Sequence, residues 1–210
     1  MSLRSTGCAL LFTALLAPLT AHAASYDYVV NGPASVYPDT NFDINVYLRE
    51  ILNPPESSPI VTQNGLLTAA VKLAVTSSTA AIPVTPAQGA ANPDFLDSAP
   101  FITVTTTSIS LQEAIPLHSP TGPMGALDGS GNRLVLVGTF SMHPGSAGNT
   151  SFLAEDFAPS NDTSTVLGTI LDPTITTPYT VTVLPEPTTL TLLALGTLTL
   201  LPRRRVRQAR

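Results

Sequence analysis

His118 in "PLHSPTGP" and His143 in "SMHPGSAGN" are the two histidines beyond the first 23 residues, and both lie in loop-like sequence. A metal centre wants two or three His, Cys or carboxylate ligands at fixed spacing, and neither histidine has such a neighbour. Ser119 follows His118, but no nucleophile-elbow motif accompanies it, and a triad is defined by space, not adjacency. The carboxylates Asp94 and Asp97, Glu155 and Asp156, and Asp162 are scattered. A glycosidase pair needs two carboxylates about 5–9 Å apart, a separation that sequence does not reveal. "DGSGN" at 128–132 has too few oxygen ligands for a calcium loop and lacks the closing acid; it reads as a hairpin turn. The expectation is a chain with no catalytic residue, no metal ligand set and no cofactor.

Charge narrows the partners. Arg203, Arg204, Arg205, Arg207 and Arg210 crowd the C-terminus. Between residues 24 and 184 only Arg49, Lys72 and Arg133 stand against thirteen acids, a formal net of −10. Such a surface repels phosphate backbones, so nucleic acid is not an expected ligand. A sugar platform would use exposed Trp or Tyr. The chain has no Trp, and Tyr26, Tyr28, Tyr37, Tyr47 and Tyr179 are its only tyrosines. Tyr47 falls on the polar side of its segment.

The two ends are built differently from the middle. "MSLRSTGCALLFTALLAPLTAHAASYDY" offers Arg4, then an apolar run too short to span a bilayer comfortably, then "AHAA". Ala21 and Ala23 fit the −3 and −1 positions of a cut before Ala24. Residues 1–23 therefore read as a secretory signal. The only cysteine, Cys8, lies inside that segment, so the exported chain would carry no disulfide.

At the other end, residues 188–201 are 14 residues without a charge. As a helix they would extend about 21 Å, short of the ~30 Å hydrocarbon core unless the bilayer thins or arginines reach to the headgroups. The arginines that follow would keep that end cytoplasmic. Ahead of the run stand Pro185, Glu186 and Pro187, which disfavour helix and strand alike. Pro-Glu-Pro, then an apolar helix, then a terminal arginine cluster resembles the PEP-CTERM sorting signal of bacteria, over residues 185–210. The resemblance implies a substrate of an exosortase-type processing enzyme. Such a substrate is held transiently in the inner membrane, cut near Pro185–Glu186–Pro187, stopped by Arg203, Arg204 and Arg205, and passed to the envelope or to an exopolysaccharide matrix. The alternative is a transmembrane anchor that is never cut.

Residues 24–184 read as strands. "NFDINVYLR" alternates Phe42, Ile44, Val46 and Leu48 with polar residues. "LTAAVKLAVT" puts Leu67, Ala69, Val71, Leu73 and Val75 on one face. "RLVLVGTFSM" faces Leu134, Leu136, Phe140 and Met142 one way, "FITVTTTSISL" reads as one further strand, and Tyr179, Val181 and Val183 alternate with threonines. No helical period is sustained. The proline-rich stretches 53–60, 82–94 and 115–124 read as loops. About eight one-sided strands must bury their apolar faces against a second sheet, which predicts an all-β antiparallel sandwich, jelly-roll or cohesin-like, over 24–184.

"VYPDTNFDINVYL", "GNRLVLVGTFSMHPGSAGNTSFL" and the closing "YTVTV" resemble cohesin-like modules and related carbohydrate-binding sandwiches, except that the glycine of the early turn is absent where Asp39 follows Pro38. The chain is thus expected to be an exported, non-enzymatic envelope or matrix protein with a structural or adhesive role. The alternatives are a cohesin-like module that binds carbohydrate or a protein, and a secreted hydrolase of uncharacterised type.

Overall fold

A computed structural model describes residues 24–52, 57–96, 100–116, 119, 121–157, 164–167, 169–174, 177–186, 191, 192 and 195. Ala21, Ala23, His118, Pro187, Arg203, Arg204 and Arg205 lie outside these residues, as does most of the run 188–201. Among the described residues no helix is long and apolar enough to cross a membrane.

Alternation dictates the layers. In β3 (Phe42–Ile51) the even positions Phe42, Ile44, Val46, Leu48 and Glu50 are buried and the intervening ones face out. In order, the other strands are β1 (Ser25–Asn31), β2 (Ser35–Val36), β4 (Thr68–Ser78), β5 (Thr85–Ala91), β6 (Phe101–Val104), β7 (Ser108–Ala114), β8 (Ala126–Leu127), β9 (Arg133–His143), β10 (Gly148–Glu155), β11 (Thr165–Val166), β12 (Thr169–Ile170), β13 (Pro173–Thr174) and β14 (Tyr179–Val183). One sheet has the order β13-β1-β3-β9-β5, with β8 pairing the other end of β9. The second runs β12-β11-β4-β10-β14-β2, with β7 on the free side of β4 and β6 on β7. Neighbours are antiparallel apart from β1–β13 and β14–β2.

The two inner faces meet in one apolar core. Ile44, Leu48, Val135, Phe140 and Met142 from the first sheet pack with Val71, Leu73, Ile109, Leu111 and Phe152 from the second, all fully buried. Each such side chain stabilises the fold by about 1.5–3 kcal/mol relative to exposure.

Four expectations are corrected. In β9 the inward residues are Val135, Val137, Phe140 and Met142, while Leu134 and Leu136 face out. The register passes from Val46–Gly138 to Tyr47–Leu136 and leaves Val137 as an extra residue. This bulge shifts the phase of the strand by one. "FITVTTTSISL" is a hairpin of β6 and β7, not one strand. Its turn is held by Thr105, whose amide donates to the Ser108 carbonyl at 2.8 Å and whose hydroxyl accepts from the Ser108 amide at 2.9 Å.

Residues 85–91, expected in a loop, form β5. Pro86 is tolerated there because β5 is an edge strand with its own irregularity between Pro86 and Gln88. Finally, one helical turn, α1 (Pro59–Thr62), closes an end of the sandwich. Pro59 starts it, and the Ser58 hydroxyl caps it by accepting from the Val61 amide.

Candidate functional site

The outer face of the β1–β3–β9 sheet carries apolar, charged and amide side chains in adjacent rows, and the bulge in β9 turns Leu134 and Leu136 onto it. Register places Val29, Tyr47 and Leu136 in one row across the three strands, with Asp27, Arg49, Leu134 and Ala126 in the next. Beyond the apolar row, Asn31, Asn45 and Thr139 form a polar one, tied by a 2.7 Å bond from the Thr139 hydroxyl to Asn45 Oδ1. Tyr47 is half-buried and Leu127 is 60% exposed. Two open concavities lie side by side here. One of about 420 Å³ is lined by Asp27, Arg49 and Thr174, and one of about 390 Å³ by Val29, Tyr47, Leu127 and Leu134.

Arg49 and Asp27 are direct cross-strand partners. Arg49 Nε donates to Asp27 Oδ1 at 2.8 Å and Nη2 donates to Oδ2, a bidentate pair. That hydrogen bonding, against a smaller desolvation cost, raises the already high Arg49 pKa. Asp128, in the β8–β9 turn, adds a carboxylate. Desolvation pushes its pKa up, but the amides of Ser130 and Asn132, the Asn132 side chain and the charge of Arg49 together hold it below its ordinary value. The face is therefore an apolar strip flanked by a fixed ion pair and an amide row. It suits contact with a protein surface.

Glu50 is the carboxylate that looks most like catalytic equipment, and its surroundings are structural. It is fully buried on the inward phase of β3. Tyr26 Oη and the Ile60 amide donate to Oε1 at 3.2 Å each, the Ser58 hydroxyl donates to Oε2, and Arg133 Nε lies 3.9 Å from Oε2. Burial, then the charge of Glu50, raises the Tyr26 pKa. The cluster fastens α1 to the sheet.

His143 ends β9 on the surface, and Ala24 precedes β1 half-buried. "DGSGN" is the hairpin turn that the sequence implied, with Gly131 at φ +83° and the Asp128 carboxylate bonded to the Ser130 and Asn132 amides. Among the described residues no group of three or more His, Cys, Asp or Glu is placed to hold a metal. The tyrosines do not share a face: Tyr26 and Tyr28 are in the core, Tyr37 is at one end, and Tyr179 donates to the Pro33 carbonyl at 2.7 Å. Pro185 and Glu186 follow β14 directly and line a concavity of about 480 Å³ with Pro38, Ile82 and Pro144.

No protein-family model matches the chain, and no curated protein does. Solved structures do. A chain from a type I cohesin–dockerin complex of Clostridium thermocellum aligns with a TM-score of 0.50 at 11% identity, covering 76% of this chain and 99% of that one. The fold is a cohesin-like β-sandwich. A cohesin module from a family 33 glycoside hydrolase of Clostridium perfringens aligns with a TM-score of 0.41 at 9% identity, covering 78% of this chain and 100% of that one.

Sequence reasoning placed Tyr47 on the outer side and the hairpin at 128–132. It missed the Asp27–Arg49 pair and the outward turn of Leu134 and Leu136. The available signal for Glu50 was a carboxylate at an even position of β3, where every other residue is apolar.

Proposed function

We propose that this chain is an exported, non-enzymatic protein-binding module, and that the face built by Val29, Tyr47, Leu127 and Leu134 is where its partner docks. The observation that carries the reading is an apolar strip left outward on one sheet of a cohesin-like sandwich, framed by Asp27–Arg49. The cohesin relative, found in a complex with a dockerin, makes a protein the natural kind of partner. The dispersal of the tyrosines counts against a sugar platform. Burial of Glu50 among hydrogen-bond donors counts against a hydrolase.

Residues 1–23 serve as the export signal, with cleavage between Ala23 and Ala24. Residues 185–210 serve as a sorting tail of PEP-CTERM type, read by an exosortase-type enzyme at Pro185, Glu186 and Pro187 and stopped by Arg203, Arg204 and Arg205. The module then works in the cell envelope or outside the cell.

The test places a photo-crosslinking phenylalanine analogue at Tyr47, or at Gln112 on the opposite sheet, in the native host. A discrete protein adduct from position 47, absent from position 112 and lost with Leu127→Asp, is the expected result. No adduct from 47, or equal adducts from both faces, contradicts the assigned face.

A further inference from the structure

We infer that the end of the sandwich formed by Tyr37, Pro38, Ile82 and Pro144 is a lipid-contacting platform that rests on the bilayer while the tail is anchored. This rests on the membrane-anchor reading of residues 185–210 and says what the folded module does in that state.

The tether is the first observation. β14 ends at Val183, and β2 runs parallel to it with Val36 opposite Val183. The Leu184 amide donates to the Val36 carbonyl at 2.8 Å, so the fold still holds the chain at Leu184. The uncharged run begins at Thr188. Four residue steps span at most about 14 Å even when fully extended. A headgroup layer is several ångströms deep on its own, so the end of the sandwich from which Leu184 leaves is brought to the membrane surface.

The second observation is what that end displays. Tyr37, next to Val36, is 56% exposed and Ile82 is 64% exposed. Pro38, Ile82, Pro144, Gly145, Ser146 and Ala147 form the concavity beside Pro185 and Glu186, and among the described residues Glu186 is the one charged member of the lining. The Ile82 loop is fixed, not loose. The Ser146 amide donates to the Ile82 carbonyl at 2.9 Å, and the Ile82 amide donates to Ser146 Oγ at 2.9 Å. A Cβ at Gly145 would lie 1.9 Å from the Ile82 carbonyl oxygen, so only glycine allows that approach. A tyrosine and an aliphatic side chain on a proline-rich rim, whose acids are the exposed Asp39 beside Pro38 and Glu186, suit the headgroup–acyl boundary. The tail residues Leu192 and Leu195 are 70% and 55% exposed, apolar surface of the kind that a bilayer covers.

The opposite end supplies the control. The turn at 128–132 precedes β9 and Pro144 follows it, which puts the two ends roughly 35 Å apart at ~3.3 Å per residue. A Cβ at Gly129 meets nothing.

The experiment uses residues 24–210, the chain left by removal of the export signal and free of cysteine, with one new thiol, Ile82→Cys, Tyr37→Cys or Gly129→Cys. Each is labelled with an environment-sensitive nitrobenzoxadiazole and reconstituted into phosphatidylethanolamine–phosphatidylglycerol vesicles. Flotation reports anchoring. Emission shift and iodide quenching report contact. The expected result is flotation of all variants, with labels at 82 and 37 blue-shifted and quenched at least about twofold less than the label at 129. Flotation with equal quenching at all three sites overturns the platform and leaves the anchor standing. Failure to float overturns the anchor reading and the platform with it.

Discussion

Tyr28 on β1 crosses the core and donates its hydroxyl to the Ala70 carbonyl on β4 at 2.8 Å, with Asp156 Oδ1 at 3.1 Å from the same oxygen. Tyr28 is only 1% exposed, so this is a polar tie between the two sheets inside an apolar core. Removing the hydroxyl while keeping the ring costs the bond and leaves a buried acceptor short of a donor. Tyr28→Phe should destabilise the fold by about 1–3 kcal/mol in urea unfolding, with an unchanged dependence on denaturant. A variant as stable as the parent would contradict the tie.

Glu50 fastens α1 to β3 through Ser58 and the Ile60 amide while Arg133 stands nearby. Glu50→Ala strands those donors in a buried site and should cost roughly 3–5 kcal/mol. Glu50→Gln keeps an acceptor oxygen and should cost less. If the two variants unfold at the same denaturant concentration, the hydrogen bonds at Glu50 are not what holds α1.

Asp128 gives a pH signature. Its folded pKa lies below its unfolded one. Its contribution is therefore present above the unfolded value and lost as pH falls through the folded value. Asp128→Asn should lower the thermal midpoint at neutral pH, and parent and variant should converge as pH falls through the folded value. A gap that widens towards acid would reverse the sign and refute the assignment.

The only cysteine is Cys8, within the segment read as the export signal. Dithiothreitol should leave the thermal midpoint of the exported protein unchanged. A lower midpoint would mean that Cys8 is retained and paired.

The alternation in β3 was readable because each inward residue but Glu50 is apolar and each outward one up to Arg49 is polar, apart from the amphipathic Tyr47. The same rule failed in β9, where Leu134, Val135, Leu136 and Val137 are all apolar. Nothing in such a run marks which phase faces in, and the bulge at Val137 decides it through pairing with β3. Thr105 misled for a related reason: threonine favours strands, yet its hydroxyl can also close a turn. The Asp27–Arg49 pair joins residues 22 apart, and only the β1–β3 register brings them together. The candidate face was therefore half legible, through Tyr47, while its apolar half depends on the bulge.

Export followed by tail processing is the claim on which the assignment to the envelope depends. The most direct measurement is the intact mass of the protein recovered from each fraction of its native host, with Glu186→Ala in parallel. The account predicts a species that begins at Ala24 and ends near Pro187 in the outer envelope or the medium, and an uncut form in the inner membrane for the variant. A parent species that still carries the C-terminal arginines in the inner membrane, or identical processing of the variant, would contradict it.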